Sequence, residues 1–292
     1  MNSRLLTAII ALPVLILSII LPYLFPQTAW ANWLFLIIAG LALGAGLFEF
    51  FSLTKKLELK ADAGIAYLGA AALFVAFLFD APVKAPDLLL LTFALFLIVV
   101  LITQTFRFQV DFSKMLGGVG VTVLGVLYVA FLGGFLISMR VGFNETIVPH
   151  LSTKLIAFFF LIVMGADTGA YYMGKNLGKR KLVPKVSPGK TWEGVIGGLI
   201  LSSVFAAIAS ATFFRPEAGV DHSGLPYHVS IPLALLMTIV GVLGDLAESA
   251  MKRGSGAKDA ASILPGHGGL LDRLDSLLFN APVLYYFARF YF

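Results

Sequence analysis

The sequence predicts an all-α, polytopic integral membrane protein with about nine transmembrane helices, its N-terminus cytoplasmic and its C-terminus outside. Three observations lead there. Of the 292 residues, 59% are hydrophobic and 13% charged, with a mean hydropathy of +0.93; an ordinary soluble domain is about 25% charged. Apolar stretches of about 20 residues, the length that crosses hydrocarbon as a helix, recur along the chain. Lys and Arg residues collect on alternate loops. A soluble fold of this length has no core large enough to hide so much apolar surface. A soluble enzyme, a secreted disulfide scaffold and a disordered chain are thereby excluded. The absence of cysteine excludes disulfides, thiolate metal sites and cysteine nucleophiles.

Nine segments read as spans: 5–25, 28–50, 63–79, 87–106, 117–138, 154–174, 193–214, 230–250 and 270–290. The last is the most polar, since it opens on Asp272-Arg273-Leu274-Asp275-Ser276. Residues 4–31 imitate a signal peptide, with Arg4, an apolar run and Ala29-Trp30-Ala31. The run is too long for a signal, and a second span follows at once. With this alternation, 15 of the 21 Lys and Arg residues fall on one side of the bilayer and five on the other, Arg273 lying inside the last span. The positive-inside rule makes the rich side cytoplasmic. The net charge of +5 thus reports topology and not a nucleic-acid partner.

Two regions follow. Residues 1–150, about five spans, are bland and read as scaffold, lipid access or dimer contact. Glu49 there reads as an interfacial charge at a span end. His150, His222 and His228 have no metal-ligand spacing and read as loop residues. Residues 151–292, about four spans, carry the polar residues. Asp167, Glu193, Asp245, Glu248, Asp272 and Asp275 all fall at the cytoplasmic ends of their spans. A carboxylate in hydrocarbon costs roughly 2.5–3.5 kcal/mol, so it normally faces a cavity, a partner or an ion. Asp245, Glu248, Ser249 and Lys252 follow i, i+3, i+4, i+7, and Asp272, Asp275 and Ser276 follow i, i+3, i+4. Lys252 lies about 10 Å along a helix from Asp245. Such acids line a pit with a basic rim, or else form helix–helix salt bridges. A carboxylate cluster without Cys or suitably spaced His suits a hard cation such as Mg²⁺.

The basic loop ending Ser187-Pro188-Gly189-Lys190-Thr191-Trp192-Glu193 imitates a Walker phosphate loop. The spacing fails, because Pro184 stands where the motif needs glycine and no strand is read before it. Two readings remain: a polyphosphate-binding end of a span, or a positive-inside loop with ordinary capping by Ser187 or Thr191. The loop Lys252-Arg253-Gly254-Ser255-Gly256-Ala257-Lys258-Asp259, continuing to Pro265-Gly266-His267-Gly268-Gly269, joins cations to glycines that permit close backbone approach. It describes an anion site beside a metal site, with His267 either orienting the loop or contacting phosphate.

Residues 249–275, SAMKRGSGAKDAASILPGHGGLLDRLD, resemble the signature of the phosphatidate cytidylyltransferases, also called CDP-diacylglycerol synthases. The resemblance holds at Ser249, Lys252, Arg253, Lys258, Asp259, Ala261, Leu264, Pro265, His267, Gly268, Gly269, Leu270, Asp272, Arg273, Leu274 and Asp275. Residues 165–171 and 187–194 also resemble the family, although Gly189 stands where lysine is common. Likeness is sharp from about 160 to 280 and elsewhere rests on hydropathy and length. It implies transfer of CMP from CTP to phosphatidic acid by a many-span, Mg²⁺-dependent enzyme, usually a homodimer, of the bacterial cytoplasmic (inner) membrane. It also implies that Asp245 and Asp272 are metal-binding acids.

On this basis Asp167, Glu248 and Asp275 are expected to supplement the metal ligands, for magnesium alone or with a second cation. Ser187, Lys190 and Thr191 are expected at the CTP phosphates. Lys252, Arg253, Lys258 and Arg273 are expected at the leaving pyrophosphate or the lipid phosphate, with His267, Gly268 and Gly269 in the same anion-binding loop. The acceptor phosphate is already largely ionised at neutral pH, its second pKa being about 6, so no general base is needed. Two other readings stand beside this one: a CTP-using lipid enzyme with another acceptor (an isoprenoid alcohol kinase or an archaeal-lipid cytidylyltransferase), and an ion-coupled transporter.

Overall fold

A computed structural model describes residues 3–26, 28–107, 112–143, 148–215, 224–257 and 269–292. Among these, every segment read as a span is helical. The helices are α1 (Ser3–Leu24), α2 (Trp33–Lys55), α3 (Ala63–Leu78), the short α4 (Ala81–Lys84), α5 (Pro86–Arg107), α6 (Met115–Gly125), α7 (Leu132–Val141), α8 (Leu151–Leu177), α9 (Trp192–Ala211), α10 (Tyr227–Gly254) and α11 (Leu271–Tyr291). A π-helical turn, Val126–Phe131, joins α6 to α7, so the two run on as a single span.

Among the described residues, six helical segments are long and apolar enough to cross a membrane: Trp30–Lys55, Pro86–Arg107, Phe112–Val141, Leu151–Leu177, Trp192–Ala211 and Tyr227–Gly254. The chain is therefore a multi-pass membrane protein. Helix α3 (Ala63–Leu78) and the stretch Ala11–Leu24 within the longer α1 are also apolar. Helix α11 has 21 residues and is more polar, and is not one of the six.

One departure from an all-helical chain lies in the basic loop. Strands β1 (Lys181–Val183) and β2 (Ser187–Thr191) form an antiparallel hairpin, pairing Lys181 with Thr191 and Val183 with Ser187. Pro184 follows Val183 at the corner, and the Val186 N–H closes the turn on the Val183 carbonyl at 3.1 Å. Proline suits that corner because its φ is already set for it. The residue that broke the Walker spacing is thus a turn residue, and the imitation of a phosphate loop is itself a strand.

The helices divide into two compact units. The first comprises Met1–Gly142 and Met251–Leu274. Its centre is aromatic: the Phe77, Phe93, Phe131 and Phe135 rings meet at centroid distances of 5.1–5.9 Å. Glycine makes room for them, since a Cβ on Gly134 would lie 2.2 Å from the Phe77 ring. Pro22 has no N–H and so leaves the Ser18 carbonyl of α1 without its helical donor. The buried Arg140 guanidinium donates to that carbonyl at 2.8 Å and to Ile19 at 3.2 Å. A chain without water nearby has to satisfy a freed carbonyl internally.

The second unit comprises Phe143–Ala250 and Asp275–Phe292. Helices α8 and α9 touch backbone to backbone. A Cβ on Gly169 would lie 2.3 Å from the Gly197 carbonyl oxygen. Such small-residue seams are the usual means of close packing in lipid, where no hydrophobic force separates helix from tail. Hydroxyl pairs join α9 to α10: Thr238 to Ser202 at 2.8 Å and Ser210 to Ser230 at 2.6 Å.

Candidate active site

The second unit holds a cluster of acids. Helix α10 carries Asp245 and Glu248 on one face, as the i, i+3 spacing requires. Helix α11 supplies Asp275. One carboxylate oxygen from each of Asp245, Glu248 and Asp275 lies within 4.8 Å of the others. The approach depends on small residues. A Cβ on Gly244 would lie 2.7 Å from the Asp275 carbonyl oxygen, and one on Gly241 would lie 2.9 Å from Asn280 Nδ2. The Ser276 hydroxyl donates to the Gly241 carbonyl at 3.2 Å. Glycine at 241 and 244 therefore closes the seam that delivers Asp275 beside Asp245.

Glu248 is fully buried, Asp275 nearly so, and Asp245 half-buried. Lys190 Nζ pairs with Asp245 Oδ2 at 2.6 Å. The Ser249 hydroxyl donates to Asp245 Oδ1 at 3.2 Å, and the Ser276 N–H to Asp275 Oδ1 at 2.6 Å. The fields of Asp245, Asp167 and Lys190 all reach Asp275. Three carboxylates thus share a site of restricted hydration with Lys190. Hard oxygen donors suit a hard divalent cation; their spacing of up to 4.8 Å is somewhat wider than the roughly 4.2 Å that two oxygens on one magnesium ion can span, so the carboxylates would draw together on binding it.

The hairpin sets Lys190. It precedes Thr191, whose buried hydroxyl accepts from the Gly194 N–H at 3.1 Å and caps α9. Of the two readings left open for Ser187 and Thr191, capping is the one Thr191 performs. Ser187 is half-buried in β2. Glu193 turns back instead of joining the acids: its carboxylate accepts from the Lys179 and Arg180 N–H groups at 3.1 and 3.2 Å. Asp167 is exposed on α8.

The first unit holds a second arrangement. Lys252 Nζ pairs with Asp272 Oδ1 at 2.6 Å, the two side chains being 13% and 16% exposed. The Gly269 N–H donates to Asp272 Oδ2 at 2.9 Å. Lys252 lies where α10 ends. The Ala257 N–H reaches the Lys252 carbonyl and the Gly256 N–H the Arg253 carbonyl, with Gly256 at φ +67°. This is a Schellman ending, and glycine takes its left-handed position. Arg253 and Arg273 are exposed on the same elements. Lys258, His267 and Gly268, like His222, lie outside the described residues.

The sequence reading missed Glu49. It is fully buried, not interfacial. Its Oε1 accepts from the Leu270 N–H at 2.9 Å and its Oε2 from the Leu271 N–H at 2.7 Å. A signal was present: Gly46, Glu49, Phe50 and Leu53 follow i, i+3, i+4, i+7 and are all buried. That stripe puts Glu49 on the packed face of α2. A Cβ on Gly46 would lie 3.1 Å from Leu274, so the stripe meets the first turn of α11.

The sequence model described as Cytidylyltransferase family matches residues 2–291. The chain belongs to the cytidylyltransferase family. A phosphatidate cytidylyltransferase of Bacillus subtilis is 33% identical over 265 residues, 87% of this chain and 91% of that protein. Two more proteins of that name match over about half of each chain. The one from Haemophilus influenzae is 46% identical over 144 residues, 49% of this chain and 48% of its own. The one from Pseudomonas aeruginosa is 44% identical over 133 residues, 46% of both.

Proposed function

We propose that the chain transfers the cytidylyl group of CTP to phosphatidic acid, yielding CDP-diacylglycerol and pyrophosphate. The observation that carries this reading is the convergence of Asp245, Glu248 and Asp275 beside Lys190 in a chain of the cytidylyltransferase family. The match to nearly the whole of the Bacillus subtilis relative, whose name states the acceptor, supports phosphatidic acid.

An oxygen of the lipid phosphate attacks the α-phosphorus of CTP, and the bond to the pyrophosphate oxygen breaks. The attacking oxygen is already ionised, so this chain's residues need to remove no proton. Their work is to bring two anions together and to stabilise charge on the departing pyrophosphate. Magnesium, alone or with a second cation, would be held by Asp245 with Glu248 and Asp275 and would neutralise phosphate charge. Asp272 is assigned a metal-binding role by family resemblance, and Asp167 a supporting one. Lys190 and Ser187 lie on the hairpin strand and are assigned to the CTP phosphates, with Thr191 holding the strand to α9. Lys252, Arg253 and Arg273, with Lys258, His267, Gly268 and Gly269, are assigned to the pyrophosphate or the lipid phosphate. The charge asymmetry of the loops supports an active site facing the cytoplasm, in a bacterial inner membrane. The family resemblance supports a homodimer.

Purified protein supplied with CTP labelled at the α- or the γ-phosphate, and with a panel of lipid acceptors, tests the reading. The expected result is α-label in a phosphatidate-derived lipid and none from the γ-position. Transfer of γ-label to an alcohol would mean a kinase, and α-label entering only another lipid would mean a different acceptor. Gradient-driven uptake into proteoliposomes without lipid labelling would mean a transporter.

A further inference from the structure

Helix α11 begins with a deficit. Its first turn presents backbone N–H groups that no helical carbonyl can reach, and the residue before Leu271 is Leu270, whose side chain has no oxygen to cap them. Glu49 makes up part of the deficit, and Asp272 holds the backbone just ahead of it. Asp272 Oδ2 takes the Gly269 N–H, and Glu49 takes those of Leu270 and Leu271 through its two oxygens. Glu49 stands 221 residues earlier than Leu270 in the chain, on α2. Negative charge is favourable at this end of a helix. The contact is fixed further by packing, since Gly46, one turn before Glu49, admits Leu271 and Leu274 against α2.

We infer that Glu49 is a positioning residue for Asp272: by holding the Leu270 and Leu271 N–H groups it fixes the turn from which Asp272 presents Oδ1, the oxygen paired with Lys252. With Asp272 Oδ2 committed to Gly269, the direction of Oδ1 follows from the path of residues 269–272, and Glu49 determines that path. The N-terminal half, read from its composition as scaffold, thus contributes one residue to the chemistry of the C-terminal half. The inference rests on the reading of Asp272 as a metal-binding acid.

The test uses full-length protein in detergent or nanodiscs. Wild-type synthesis of CDP-lipid is measured first; its failure would count against the proposed function and not against the role of Glu49. Glu49→Gln, which keeps the shape but sets an amide N–H₂ against a backbone donor, is then compared with Glu49→Asp. The expected result for Glu49→Gln is a rise of about tenfold or more in the Mg²⁺ concentration that half-maximally raises the melting temperature without CTP, the scale on which supports of a metal ligand act. A fall in kcat of about 10- to 100-fold should accompany it, with KM for CTP changed by less than about threefold. Glu49→Asp should recover part of both losses. Unchanged Mg²⁺ half-saturation and kcat with a lower melting temperature would overturn the inference, because a merely structural cap predicts that pattern. If Glu49→Gln does not accumulate, Glu49→Asp decides on the same two readouts. Hydrogen exchange on the wild-type protein decides independently of any variant. Slow exchange of the Leu270 and Leu271 amides in Mg²⁺-free protein is expected, and fast exchange would overturn the inference.

Discussion

Two lysine–aspartate pairs of equal length sit in different company. Lys190 meets Asp245 at 2.6 Å, and Lys252 meets Asp272 at 2.6 Å. Around Asp245 the neighbours are acids, Glu248 and Asp275. Around Asp272 the second oxygen is already occupied by a backbone N–H. The first pair is more open, with side chains 21% and 36% exposed against 13% and 16%. The first arrangement gathers three carboxylates at one place, the donor set proposed above to hold a cation. In the second, one lysine and one backbone N–H already take the two oxygens of Asp272, so a cation bound there would have to share or displace Lys252. Identical contacts do not make identical sites; the surrounding charge decides what each pair can do.

The largest effects should come from the acids. Asp245→Asn should cut turnover by about 10³-fold or more, the scale of losing charge stabilisation in the transition state, and leave a folded membrane protein. Asp272→Asn should abolish turnover similarly, but also lower the melting temperature, because it removes the carboxylate charge that Lys252 meets in a more buried setting. Equal melting temperatures for the two variants would erase the distinction drawn between the pairs.

The lysines sharpen it. Lys190→Met should lower kcat/KM for CTP by about 10²-fold with little change in thermal stability, since a pair this exposed contributes about 0–1 kcal/mol. Lys252→Met should destabilise by up to about 3 kcal/mol, because it leaves a largely buried carboxylate without its cation. Thermal melts beside initial rates separate the two.

Smaller still is the effect of the seam. Gly244→Ala places a methyl against the Asp275 carbonyl, a backbone atom that cannot step aside. A loss of about 1–3 kcal/mol is expected, with a higher Mg²⁺ requirement in the assay as Asp275 is pushed from Asp245. The smallest expected effect is that of Thr191→Ala, about 1 kcal/mol of stability from the lost cap of α9, read by thermal melting.

What the sequence disclosed follows from the range of each interaction. Helices announce themselves through runs of apolar residues, and each segment read as a span is helical among the described residues. Whether each one crosses is a finer matter, because α3 is short and α11 is charged in its first turn. The grouping of Asp245 with Glu248 was legible, since three residues along a helix fix a shared face. That Asp275 lies at the same bilayer side was legible from the span ends; how closely it approaches them was not, because the seam that delivers it depends on Gly241 and Gly244. The hairpin was hidden. Its strands are short and basic, without the apolar alternation that marks a strand, and Ser187-Pro188-Gly189 resembles a loop. For Glu49 the stripe it shares with Gly46, Phe50 and Leu53 was legible, but not its partners, which are backbone groups more than 200 residues away, beyond the reach of any spacing rule.

The most direct test of the central claim, that Asp245, Glu248 and Asp275 together hold a divalent cation, is manganese binding followed by electron paramagnetic resonance on the purified protein without nucleotide. The account predicts bound Mn²⁺ that Mg²⁺ displaces, with binding weakened sharply in both Asp245→Asn and Asp275→Asn. Undiminished binding in those two variants would contradict it.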